Sequence, residues 1–271
     1  MHNLARPATG PVLELVQLTD SHLFSEPRGQ LLGLETRSSL QQVLALLQCE
    51  HPRPDLLLAT GDLSQDGSLA SYQAFRQLCA PLGVPVRWCP GNHDDRLQMC
   101  AAASGTELMA PVTDLGAWRI ILLDTRLPGA VHGQLADSQL ELLARALDDA
   151  PERHGLIGLH HHPLPVGSDW MDSIGLHNSG ALWQLLESYP QVRALLWGHV
   201  HQAFDRSQNG RRLLASPSTC IQFTPGSARF QTSMEAPGYR WLHLYEDGRL
   251  DTGISRVQGL PLLACAGGQG Y

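Results

Sequence analysis

Short apolar runs that break at a Gly or polar residue recur along the chain, and they alternate with segments whose apolar positions fall at helical spacing. Leu13 to Leu18 reads as a first strand that stops at Asp20-Ser21-His22. Leu40, Val43, Leu44 and Leu47 then recur three and four residues apart, with Gln41, Gln42 and Gln48 elsewhere on the surface, which predicts an amphipathic helix. Asp55 to Ala59 is a second strand running into Gly61-Asp62, and the helix after it carries Tyr72, Phe75 and Cys79 on one face. Val84 to Cys89 is a third strand, opening into Gly91-Asn92-His93-Asp94. Trp118 to Asp124 is a fourth, followed by a helix marked by Leu140, Leu143, Ala144 and Leu147. Leu156 to Leu159 ends at His160-His161-His162, and Val192 to Trp197 ends at Gly198-His199-Val200-His201. Strand and helix in alternation predict an α/β core.

The last third changes character. Asn209-Gly210 lies between Ala203–Arg206 and Arg212–Ala215, and Asp247-Gly248 lies between Tyr239–Tyr245 and Leu250–Ser255, two strong hairpin signals. Early parallel units and late antiparallel hairpins fit either one wide sheet or two packed sheets with helices outside. At 271 residues the chain suits a single domain over 1–271, with 1–11 and 260–271 expected to be loosely held ends.

Composition narrows the function. A net charge of −7 disfavours a partner such as nucleic acid, whose backbone is bound by clustered Lys and Arg. Small anionic substrates stay open if metal ions supply the positive field. No stretch approaches the roughly 20 apolar residues of a membrane span, so no membrane partner is expected. The six cysteines lack CxxC spacing, which suits a reduced compartment and leads us to expect the cytoplasm.

The chemistry lies in the residues that follow the strands. Seven of the 13 histidines (His22, His93, His160, His161, His162, His199 and His201) fall in these five clusters, a concentration that scattered surface placement does not explain. The remaining six read as ordinary: His132, His154 and His177 in loops, His243 on a strand face, His2 and His51 in solvent. Asp20 and His22 can point to the same side of a strand end and bind one ion. Asp62, after a Gly that permits a sharp turn, suits a bridging carboxylate, although an N-cap would use the same residue. Asn92 offers a neutral oxygen, and His93 beside it projects differently, so one can bind metal while the other faces substrate. Five loops delivering carboxylate, amide and imidazole to one sheet edge predict a two-metal site.

Taken in order, Asp20-x-His22, Gly61-Asp62, Gly91-Asn92-His93-Asp94, His160 and Gly198-His199-x-His201 resemble the calcineurin-like metallophosphoesterases. The resemblance implies a four-layer α-β-β-α sandwich of two mixed sheets flanked by helices. More closely, Leu31-Leu32-Gly33, His132-Gly133-x-Leu135, His160 to Pro165, Trp170-Met171-Asp172 and Gly210 to Cys220 are similar to the bacterial class III 3′,5′-cyclic AMP phosphodiesterases. That likeness implies one ion on Asp20, His22, Asp62 and His201, and a second on Asp62, Asn92, His160 and His199. The usual His-x-Pro spacing of the family points to His161, whereas His160 is the first of the triplet to leave the strand. His160 is the expected ligand.

The activity implied is hydrolysis of 3′,5′-cyclic AMP to 5′-AMP. Two divalent or trivalent ions, iron, manganese or zinc, activate a bridging hydroxide. His93 stabilises the charge on phosphorus or protonates the leaving oxygen, with Asp94 orienting its ring. Asn92, His93, His201 and Trp170 are the expected substrate contacts, Trp170 as a flat surface for adenine or else a lid residue packed on the core. Other cyclic nucleotides or glycerophosphodiesters are the alternative substrates. A scaffold that has lost activity is expected to show gaps in its ligand set, and there are none.

Overall fold

The computed structural model describes residues 12–259; the ends read as loosely held, 1–11 and 260–271, lie outside them. The early strands are nearly continuous apolar runs because both of their faces are covered. In β2 (Leu56–Thr60), Leu56 and Leu58 join one core while Leu57 and Ala59 join another. With β1 (Leu13–Leu18), β3 (Val86–Cys89), β10 (Gly238–Leu244) and β11 (Leu250–Arg256), it forms a sheet of order β11-β10-β1-β2-β3. β1, β2 and β3 are parallel, and β10 and β11 form the antiparallel edge.

A second sheet contains β4 (Val112–Leu115), β5 (Trp118–Leu122), β6 (His154–Leu159), β7 (Val192–Trp197), β8 (Phe204–Gln208) and β9 (Arg211–Ala215), in the order β8-β9-β7-β6-β5-β4. Its four central strands, β9, β7, β6 and β5, are parallel. The two sheets bury Leu15, Leu58, Trp118, Ile120, Leu156, Leu196 and Leu242 between them. Outside the first sheet, α1 (Thr36–Glu50), α2 (Leu69–Cys79) and α3 (Arg96–Ala102) cover Val16, Leu57, Ala59 and Trp88. Outside the second, α4 (Asp137–Asp148), the short α5 (Asp169–Asp172) and α6 (Ser179–Leu186) cover Ile121, Ile157, Leu195 and Trp197. Helix, sheet, sheet and helix make four layers, and of the two arrangements the sequence permitted the chain adopts two packed sheets.

Both hairpins form where the Asn-Gly and Asp-Gly signals place them, with Asn209 (φ 51°), Gly210 (φ 75°) and Gly248 (φ 83°) left-handed. The edge strand β4 and the helices α3, α5 and α6 were not foreseen. They are short, and α6 has too few polar positions to show a helical stripe. What matters for function is that β1, β2, β3, β6 and β7 all end at one rim, the place where open α/β sheets bind ligands.

Candidate metal centre

The rim gathers the side chains the sequence singled out. Asp20 and His22 follow β1, Asp62 follows β2, Asn92 and His93 follow β3, His160 follows β6, and His199 and His201 follow β7. Asp20, His22, Asp62, His160, His199 and His201 are all buried. Asn92 and His93 are half-buried and form the open side.

Two lobes share Asp62. In one, His201 Nε2 stands 3.3 Å from Asp20 Oδ1 and 3.3 Å from His22 Nε2, and His22 Nε2 is 3.9 Å from Asp62 Oδ2. In the other, His160 Nε2 stands 3.2 Å from Asp62 Oδ2 and 3.1 Å from Asn92 Oδ1, with the His199 ring 5.1 Å away. His160 Nε2 also lies 4.0 Å from Asp20 Oδ1, which ties the lobes together.

The four imidazoles have their remaining ring nitrogens committed. His160 Nδ1 meets Thr60 O at 2.9 Å, His201 Nδ1 meets Ile221 O at 2.8 Å, and His199 Nε2 meets Ile174 O at 3.1 Å. His22 Nδ1 lies 2.6 Å from Gln65 Oε1. Each of these partners is an acceptor, so each ring nitrogen facing it carries the proton and the opposite nitrogen offers a lone pair to the centre. His199 Nδ1 is buried with no hydrogen-bond partner, and Asp62 Oδ2 is flanked by imidazoles rather than by hydrogen-bond donors of good geometry. Buried acceptors that converge without donors fit metal cations, and carboxylate, amide and imidazole together make a mixed oxygen and nitrogen donor set.

The backbone is bent to make this possible. Among the described residues seven non-glycines have positive φ, and five of them are Asp20 (55°), His22 (46°), Asp62 (50°), His199 (67°) and His201 (47°). Each left-handed non-Gly residue costs on the order of 1–3 kcal/mol, and such strain concentrates at functional sites. Hydrogen bonds between loops hold it: Asp20 N to Gly61 O at 3.0 Å, His22 N to Asp62 O at 2.9 Å, and His199 N to both Asp20 carboxylate oxygens at 3.1 Å. The glycines give room. A Cβ on Gly61 would stand 2.3 Å from His160 Nδ1, one on Gly91 2.2 Å from Asp62 Oδ1, and one on Gly198 2.1 Å from Thr19 Oγ1.

The electrostatics follow from burial. Burial alone would raise the Asp62 carboxyl, but His160, His93 and His22 outweigh it and hold it well below the usual carboxylate range. Asp20 is lowered in the same way, against its burial, chiefly by His201. Burial pushes His22 down to about 3 and His199 well below the usual imidazole value. His160 is the exception: the carboxylates of Asp62 and Asp20 overcome its burial and raise it to about 9. In the metal-free protein, a proton on His160 therefore stands in for part of the cationic charge.

The other members of the triplet face elsewhere. His161 Nδ1 lies 2.7 Å from Thr125 Oγ1 and its Nε2 lies 3.0 Å from Val131 O, so both nitrogens are engaged away from Asp62. His162 stacks behind His199, with centroids 5.7 Å apart. Asp94, expected to orient the His93 ring, instead directs its carboxylate at the backbone, accepting from Gly91 N at 2.8 Å and Ser64 N at 3.1 Å. The reason is chain geometry: residues 91–94 form a turn with Asp94 N bonded to Gly91 O, which folds the carboxylate back under the loop. Trp170 is half-buried and meets Phe223 and Phe230 edge-on at 5.1 and 5.2 Å. Phe223 in turn stacks on His201 at 4.2 Å, so Trp170 sits one ring away from the centre.

Sequence reading missed the residues that hold the ligands. A buried polar chain runs between the sheets: Arg240 Nε donates to Ser216 Oγ, Ser216 to Gln17 Oε1, and Gln17 Nε2 to Thr60 Oγ1, while Thr60 O receives His160. Polar Gln17 inside an otherwise apolar strand was the available signal.

Residues 13–203 match the model of the calcineurin-like phosphoesterase family. Over 251 residues the chain is 59% identical to the 3′,5′-cyclic adenosine monophosphate phosphodiesterase CpdA of Pseudomonas aeruginosa, covering 93% of this chain and 92% of that one. It is 43% identical over 271 residues to the Escherichia coli K12 protein of the same name, covering 99% and 98%. In fold it is similar to a dimetal phosphatase from Danio rerio, with a TM-score of 0.64 at 16% identity, over 92% of this chain and 100% of that one. With its rim of carboxylates and imidazoles and its four layers, the chain belongs to the calcineurin-like phosphoesterases.

Proposed function

We propose that this phosphoesterase hydrolyses 3′,5′-cyclic AMP to 5′-AMP, with Asp20, His22, Asp62 and His201 holding one cation and Asp62, Asn92, His160 and His199 the other. The carrying observation is that Asp20, His22 and His160 gather at Asp62, with His201 beside His22 and Asn92 and His199 beside His160, joined to full-length similarity with two CpdA proteins. Bound there, the cation pair supplies an activated water and neutralises phosphoryl oxygens. The chain's own residues do the rest. Fixed tautomers keep the imidazole lone pairs aimed inward, and burial of Asp20 and Asp62 keeps bulk water from screening the centre. Asn92 and His93, on the open side, face the arriving diester. As water oxygen bonds to phosphorus and the bond to the 3′ oxygen breaks, His93 donates a proton to that oxygen. Trp170 offers its exposed part to the base.

The cations are iron, manganese or zinc, and the partner is a small cyclic nucleotide rather than nucleic acid, a reading supported by the net charge of −7. Among the described residues no helix is long and apolar enough to cross a membrane, and five cysteines are free; we place the protein in the cytoplasm and read residues 1–271 as one domain. The test is turnover by metal-reconstituted protein of cyclic AMP, cyclic GMP, 2′,3′-cyclic AMP and bis-p-nitrophenyl phosphate, with product identification. A strong preference for cyclic AMP with 5′-AMP as product is expected. Preference for another diester would overturn the substrate assignment.

A further inference from the structure

A second group of metal-type side chains lies far from the rim. Glu14 stands near the start of β1, six residues before Asp20, which places it roughly 20 Å from the catalytic end at about 3.3 Å per residue. Glu14 and His243 are direct partners across the antiparallel pair of β1 and β10, so their side chains share a face. His51 is the residue that ends α1, and α1 packs over that face. The sequence reads His51 as solvent-exposed and His243 as an ordinary strand residue, but both are half-buried. The end of α1 carries His51 onto the sheet.

Three elements thus deliver three donors to one point. His51 Nδ1 is 2.5 Å and His243 Nε2 3.3 Å from the same oxygen, Glu14 Oε1. The three donor atoms lie within 4.8 Å of one another. A tetrahedral ion with bonds of about 2.0–2.2 Å sets its ligands roughly 3.3 Å apart, so small side-chain movements admit it. The frame is stiff. Glu14 N donates to Asp55 Oδ2 at 2.8 Å, and Asp55 N donates to Glu14 O at 2.7 Å. Aromatic rings wall the imidazoles: Tyr239 lies edge-on to His51 at 5.8 Å, and Trp241 lies 4.9 Å from His243. Side-chain exposures of 13% for His51, 26% for Glu14 and 35% for His243 leave the cluster reachable from solvent.

We propose that Glu14, His51 and His243 form a separate binding site for a borderline divalent cation such as zinc. Two imidazoles and one carboxylate are the donor set such ions take, with the remaining position left to water. Bound there, zinc ties the start of β1 to β10 and to the end of α1, and so stabilises the first sheet without touching the catalytic rim.

The experiment dialyses the full-length protein, Glu14→Gln and His243→Ala against zinc chloride and counts bound zinc by emission spectrometry. Wild type is expected to hold one equivalent more than either variant, with loss of one ligand weakening this site at least about 10–100-fold. Zinc is expected to raise the thermal midpoint of the wild type more than that of the variants, while metal-reconstituted diester turnover is the same in all three. Equal zinc content in all three proteins would overturn the assignment. Zinc-edge anomalous scattering from wild-type crystals gives a check that needs no variant: a peak at Glu14 is expected, and zinc confined to the Asp62 rim would overturn the site.

Discussion

The most exacting test of the metal centre is the addition of one methyl group. Gly91 does not have a positive φ, so Gly91→Ala introduces no backbone strain, only bulk. Its Cβ would stand 2.2 Å from Asp62 Oδ1, 2.5 Å from Asp62 N and 2.8 Å from Asp62 Cγ. Carbon reaches its optimal contacts at about 3.5–4.0 Å, so the carboxylate and the β3 loop must part by roughly 1 Å. Asp62 cannot retreat freely, because its Oδ1 takes His93 N at 2.9 Å and its Oδ2 lies 3.2 Å from His160 Nε2. Misplacement of that size at a reacting centre lowers turnover about 100-fold. Overpacking of this kind destabilises by about 1–3 kcal/mol, which lowers the thermal midpoint by several degrees in a chain of this length. The assay is diester turnover together with metal content, using Gly180→Ala in α6 as control, since no atom lies within 4 Å of a Cβ there. Full turnover and two metal equivalents in Gly91→Ala would refute the bridging role of Asp62.

Further outcomes follow from the same geometry. Asp62→Ala removes the shared carboxylate and should lower occupancy of both cations, a result that two full equivalents by metal analysis would contradict. His93→Ala should keep both cations yet lose about 10²–10⁴ in kcat; unchanged turnover removes His93 from the chemistry. Trp170→Ala should raise KM for cyclic AMP more than for bis-p-nitrophenyl phosphate, and equal effects would return Trp170 to packing on Phe223 and Phe230. The raised His160 imidazole, at about 9, means its ion-pair contribution to the metal-free protein is complete below pH 6.5 and lost as pH rises through 9. Metal uptake at pH 7.5 should therefore release about one proton, which calorimetry in buffers of different ionisation enthalpy measures; no release would contradict the His160 assignment.

The residues of the rim were legible because each follows an apolar strand in one order, and the strands could be read because both faces are buried. Register inside the histidine triplet was divided, strand exit pointing to His160 and the His-x-Pro spacing to His161. It depends on Thr125 and Val131, which reach His161 from a loop 30 to 36 residues away and leave His160 facing Asp62. Likewise Asp94 beside His93 suggested a pair, but the turn at Gly91 directs the carboxylate to backbone amides. The left-handed conformations of Asp20, His22, Asp62, His199 and His201 had no local signal, since none of these is a glycine and contacts between loops impose them. Sheet number was hidden from periodicity, because only tertiary packing shows that the alternating faces of β2 enter two different cores, and it was the family resemblance that implied the two sheets the chain forms.

The central claim is that Asp62 lies between two cations. Crystals grown with manganese and measured at the manganese edge test it most directly. Two anomalous peaks roughly 3.5–4 Å apart are expected on either side of the Asp62 carboxylate, one toward His22 and His201 and the other toward Asn92, His160 and His199. A single peak, or peaks that leave Asp62 uncoordinated, would contradict the account.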